Sequence, residues 1–132
     1  MDKRLVNPWT WQDQYGFAQG IDVTGAARVL YCAGQTSSDA DGATVHAGDM
    51  AGQARQALDN LETVLREAGL GLAHVVRLNY YTTDVDRFLE EGAAVIGERL
   101  GAAGCQPAAT LLGVTRLAFP DLLLELEATA VA

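Results

Sequence analysis

Two carboxylates, Glu125 and Glu127, interrupt the apolar run Leu-Leu-Leu-Glu-Leu-Glu-Ala-Thr-Ala-Val-Ala that begins at Leu122. Read as a strand, the run places Leu122, Leu124, Leu126 and Ala128 on one face and Leu123, Glu125, Glu127 and Thr129 on the other. Burying an unpaired carboxylate is costly. The second face is therefore either solvated or a place where a carboxylate handles a proton. Val75–Thr83 is a second strand rich in β-branched and aromatic residues, with Arg77, Asn79 and Tyr81 on one face and Val76, Leu78 and Tyr80 on the other. Arg77 is a possible anchor for an anionic ligand, or an ion-pair partner for Glu125 or Glu127.

Other reactive residue types offer less. Cys32 and Cys105 sit in apolar runs and read as buried free thiols, not as a disulfide framework or a metal site. Asp39-Ala40-Asp41-Gly42 has the outline of a calcium loop, but Gly48 stands where the bidentate Glu belongs, so a turn is expected and no metal. The net charge of −8 and the absence of a Lys/Arg cluster argue against a nucleic-acid partner. No stretch is apolar enough for a membrane span or a signal core, so no membrane partner and a cytoplasmic location are expected.

The elements that must position these residues follow from periodicity. At 132 residues the chain is expected to form one domain, residues 1–132, with a core that needs no staples. Trp9 and Trp11 follow Pro8 within residues 1–16 and are expected to dock, either on the core or at an oligomer or pocket contact. Phe17–Val23 and Arg28–Gly34 read as a hairpin turning at Thr24-Gly25. Asp49 caps a helix to about Ala68, with Met50, Ala54, Ala57, Leu58, Leu61, Leu65 and Ala68 in one stripe and Gly69 as its stop. A second helix starts at Asp84 or Asp86, turns Phe88, Leu89, Val95, Ile96 and Leu100 inward, and closes at Gly101. Two strands flank a turn at Phe119-Pro120-Asp121.

The order β-β-α-β-α-β-β contains two right-handed crossovers, giving an α+β layer with both helices on one face of a mixed sheet. The other face has no helix to cover it. It is expected to hold Arg77, Asn79, Tyr81, Leu111, Thr115, Leu123, Glu125 and Glu127. So mixed a surface suits subunit packing with polar side chains at the seams.

The ordered fragments of the chain resemble the RidA family of reactive-intermediate deaminases, also called YjgF-like and, in older usage, L-PSP endoribonuclease. The resemblance rests on Ala18-Gln19-Gly20-Ile21-Asp22, Cys32-Ala33-Gly34-Gln35 and Gln53 to Leu61. It continues through Val75-Val76-Arg77, Asp84 to Phe88, Gln106-Pro107-Ala108 and Glu125-Leu126-Glu127-Ala128. It implies a chorismate-mutase-like fold closing as a homotrimer around a central barrel, with a small-molecule ligand in each inter-subunit cleft. It further implies hydrolysis of 2-imino or enamine acids with no cofactor or metal. An Arg would hold the substrate carboxylate bidentately, and a Glu, here Glu125, would position water.

Carried over residue by residue, the resemblance assigns Phe17, Cys32, Ala33, Gly34, Tyr81, Gly92, Cys105 and Ala109 to the pocket. Four of these depart from the family pattern. The Arg is Ala109, the aromatic hydroxyl is Phe17, the Ser is Ala33 and the Asn is Gly92. The next arginine, Arg116, falls on the opposite strand face from Ala109. Losing the Arg removes about 2–5 kcal/mol of charge-pair contact, on the order of a 30- to several-thousand-fold loss in kcat/KM. The expected outcome is an enzyme of altered scope acting on an imine, enamine or related carbonyl compound without a carboxylate, with Glu125 as acid or base. The alternative is a non-catalytic small-molecule-binding trimer. Nuclease activity comes last, given the acidic charge and the lack of a His-based acid–base pair.

Overall fold

The computed structural model describes all 132 residues. Seven strands, β1 (Asp2–Val6), β2 (Gly20–Thr24), β3 (Val29–Tyr31), β4 (Gln35–Thr36), β5 (Val75–Thr82), β6 (Ala108–Gly113) and β7 (Leu124–Val131), alternate with helices α1 (Met50–Glu67), α2 (Val85–Arg87) and α3 (Ala93–Ala102). A π-helical stretch, Phe88–Gly92, joins α2 to α3. The α+β class, the mixed sheet and the helices on one face agree with the expectation.

Strand pairing departs from it in three ways. The N-terminal segment is a strand: β1 pairs antiparallel with β2, so the partner of β2 is β1 and not β3. The main sheet runs β3-β7-β5-β6, with β4 also on β7. The strands on either side of Phe119-Pro120-Asp121 are therefore no hairpin; β6 lies parallel to one edge of β5 and β7 antiparallel to the other. The physical reason is that β7, apolar on its inward face, fills the centre of the sheet, where both its edges are hydrogen-bonded. Ala18 links the two sheets, bridging to Ala108 and donating its N–H to the Pro107 carbonyl at 3.0 Å.

The core lies between sheet and helices. Asp49 accepts from the Gly52 N–H and starts α1 as expected, and Met50, Ala54, Ala57, Leu58, Leu61 and Leu65 are fully buried. Asp84 caps α2 through the Arg87 N–H. Phe88, Ile96 and Leu100 are buried, but Leu89 is 55% exposed, because the helix widens by a π-turn at this point. A bulge between Val75 and Arg77 turns Val75 inward in place of Val76.

Two polar side chains of α1 tie the layers together. Buried Gln53 donates to the carbonyls of Asp121 (2.9 Å) and His46 (3.2 Å) and accepts from the Leu123 N–H (2.8 Å), anchoring the entry to β7. Asn60 donates to the carbonyls of Thr36 and Ser38 and holds β4.

Candidate functional site

Register places Arg77, Asn79, Tyr81, Glu125 and Glu127 together on the sheet face without helices, as expected. Glu127 is the anchored carboxylate: it accepts from Asn79 Nδ2 at 3.0 Å and from the Tyr81 hydroxyl at 2.9 Å. These two bonds, the amide first, hold its carboxyl below the usual carboxylate range. The bond to Glu127 in turn raises the Tyr81 phenol. Asn79 Oδ1 is buried without a partner.

Glu125 differs in every respect. No hydrogen bond or ion pair engages it, and burial, then the charge of Glu127, pushes its carboxyl up. Gly34 lies against it so closely that a Cβ at that position would sit 1.7 Å from Glu125 Oε1. Any larger residue would have to displace the Glu125 carboxylate from this position. Arg77 pairs with neither glutamate; its guanidinium donates to Thr110 Oγ1 at 2.6 Å.

A second feature lies on the helix side. A cavity of about 430 Å³ opens between α3, the end of β2's approach and β6. Its walls are largely apolar, with Tyr15, Phe17, Tyr80, Phe88, Leu89, Leu100, Pro107 and Leu111 among the lining residues. It exists because the facing side chains are small, Ala93, Gly97 and Gly101 along one helix stripe and Ala109 on β6. A Cβ added at Gly97 or Gly101 would meet no atom within 4 Å. At the mouth, Phe17 packs edge-on against Trp11, with centroids 5.8 Å apart. The Trp11 and Trp9 indoles are themselves 55% and 60% exposed, so neither is docked on the core.

The residues assigned to the pocket thus fall into three groups. Phe17, Cys105 and Ala109 line the cavity. Gly34, Tyr81 and Glu125 gather on the open face, with exposed Ala33 beside Gly34. Cys32 and Gly92 reach neither: Cys32 is buried in the core, and Gly92 packs against Phe88 and Met50. Leu111, expected on the open face, lines the cavity, because its partner in register is Tyr80 and not Tyr81. Thr115 and Arg116 lie beyond β6, which ends at Gly113, so neither has a place on a sheet face. Sequence reasoning missed Tyr80, Phe88 and the small stripe of α3. The i, i+4, i+8 spacing of Ala93, Gly97 and Gly101 was the available signal.

Comparison with known proteins agrees with this fold. The family model described as Endoribonuclease L-PSP matches residues 14–132. A RutC family protein of Pyrococcus horikoshii is 33% identical over 105 residues, 80% of each chain. The 2-iminobutanoate/2-iminopropanoate deaminase of Escherichia coli K12 is 30% identical over 115 residues, covering 87% of this chain and 86% of that one. Among solved structures, a protein of unknown function of the conserved Rid family from Yersinia pestis has a TM-score of 0.83 at 37% identity over the whole of both chains. The YjgF gene product of Escherichia coli has a TM-score of 0.70 at 29% identity over 87% of each. The chain belongs to the Rid (YjgF, L-PSP) family.

Proposed function

We propose that this protein hydrolyses or tautomerises an imine, enamine or related carbonyl compound that lacks a carboxylate, in a site assembled between copies of the chain. The observation that carries the proposal is Glu125, a half-buried carboxylate without a partner, held against Gly34. Burial raises this carboxyl above the usual carboxylate range, which makes it a stronger base than a fully solvated one and suits it to exchange protons with a bound molecule. In hydrolysis, Glu125 accepts a proton as water adds to the imine carbon and delivers it to nitrogen, giving a carbinolamine. It then takes the hydroxyl proton and passes it to the same nitrogen, so that the C–N bond breaks, ammonia leaves and the carbonyl forms.

Ala109 and Glu125 belong to opposite faces of the same sheet. One site that uses both therefore has to combine two chains. The open face suits such packing: Tyr31 is 79% exposed and Val29 and Leu112 are each 50% exposed. A homotrimer, as the family resemblance implies, is the assembly we infer.

Activity on 2-imino acids, which the Escherichia coli relative is named for, is expected to be weak. No Arg, Lys or His lines the cavity at Ala109 to meet a carboxylate. Ammonia release above the spontaneous rate, measured on oxidase-generated 2-iminopropanoate and on neutral aromatic imines, tests the proposal. Wild type should turn over neutral imines and Glu125→Gln should lose about 10²–10⁴-fold, with its fold intact by circular dichroism. Ala109→Arg should gain 2-iminopropanoate. If neutral imines are untouched by wild type, the loss of four polar family positions favours the second reading, a trimer that binds a small molecule without turning it over.

A further inference from the structure

Tyr80 and Tyr81 are neighbours on β5 that face opposite ways. The Tyr81 hydroxyl is engaged by Glu127, whereas the Tyr80 side chain points into the cavity beside Phe88, with ring centroids 5.6 Å apart. Its hydroxyl has no hydrogen bond within the chain, and burial, reinforced by nearby Cys105, keeps the phenol protonated. The other polar groups of the lining are spoken for or peripheral. Cys105 Sγ donates to the Val75 carbonyl at 3.6 Å, and Tyr15 and Gln106 are both exposed. The half-buried Tyr80 hydroxyl therefore faces the cavity space and not a protein acceptor, and an acceptor on a bound molecule can take the hydrogen bond that water otherwise takes there.

We propose that the cavity takes a neutral one- or two-ring compound carrying a single hydrogen-bond acceptor (a ketone, aldehyde or imine), and that Tyr80 donates to that acceptor. This rests on reading the cavity as the ligand site and adds the ligand's chemistry. Tyr15, Phe17, Tyr80 and Phe88 supply four aromatic rings for edge or face packing on a ring system. With no cation in the lining, a carboxylate would lose its hydration without compensation. A cavity of about 150 Å³ suffices for benzene, so 430 Å³ leaves room for a second ring or a side arm. Tyr80 is thus a specificity-determining residue, and it discriminates by hydrogen bonding where the rest of the lining selects by shape.

The test is an NMR titration of the full chain with acetophenone, ethylbenzene and benzoate, in wild type, Tyr80→Phe and Gly97→Leu. In wild type, the shifts caused by acetophenone should map to Phe17, Ala109 and Leu111, and benzoate should bind at least about tenfold more weakly. Tyr80→Phe should reduce the preference for acetophenone over ethylbenzene by about three- to tenfold while leaving ethylbenzene unchanged. Gly97→Leu, which fills the space next to α3, should abolish binding of both neutral probes. An unchanged preference in Tyr80→Phe, or benzoate binding as tightly as acetophenone, overturns the role of Tyr80 and the neutral ligand class while leaving the cavity as a ligand site. Failure of all three probes to bind, or binding indifferent to Gly97→Leu, overturns the cavity reading and this proposal with it.

Discussion

On the covered face of β7, Leu124, Leu126 and Ala130 are fully buried and Ala128 nearly so; on the open face of the same strand, Glu125, Glu127 and Thr129 are half-buried. The first set packs against α1 and specifies the fold. The second carries one anchored carboxylate and one free carboxylate, with the unpartnered amide oxygen of Asn79 beside them on β5. A strand that folds the chain with one face thereby keeps chemistry on the other. Substitutions on the covered face should act on folding, and those on the open face on assembly and turnover.

The sharpest way to break that division is Leu126→Ala. It removes a fully buried side chain from the core and should cost about 2–5 kcal/mol in urea unfolding. A cost no larger than that of an open-face substitution would show that both faces contribute alike. Next in size is Gln53→Leu, which strands the Leu123 N–H and two carbonyls. About 1–3 kcal/mol of destabilisation is expected, with hydrogen exchange accelerated at the entry to β7 first.

Gly97→Ala should move stability the other way. The helix gains propensity and the added methyl meets no atom, so about 0.5–1 kcal/mol of stabilisation is expected. Destabilisation would mean that something occupies that space in the assembly.

The smallest effect separates the two glutamates by pH. Glu127, lowered by its hydrogen bonds, contributes stability that is present above its unfolded pKa and lost as pH falls through its folded pKa. Glu125 has the opposite sign: its raised folded pKa favours the protonated form, so its contribution is present below the unfolded pKa and lost as pH rises through the folded value. Carboxyl-carbon NMR titration should show Glu127 ionising first. Glu127→Gln should lower Glu125, because the neighbouring charge is one cause of its upward shift. Identical titration of the two would remove the distinction on which the proposed role of Glu125 stands.

Local signals by themselves determined the two helices, the cap at Asp49, the inward stripe of α1, the alternation of β7 and that of β5 from Arg77 on, because each depends on residues a few positions apart. The choice of Asp84 over Asp86 as the second cap came from the structure. The ordered fragments along the chain also carried the family. The roles of Gln53 and Asn60, both within one of those fragments, were not legible as chemistry or structure until their partners at Asp121, Leu123, Thr36 and Ser38 were in place. Only the tertiary structure decided which strands pair, since hydrogen bonding between β5 and β7 joins residues about fifty positions apart and leaves no local period. It alone separated Ala109 from Glu125 across the sheet and sent Leu111 to the cavity. It also left the Tyr80 hydroxyl facing space while Tyr81, one residue on, is held by Glu127. The alternation of a strand tells that two side chains point apart; what each one meets is set by the rest of the chain.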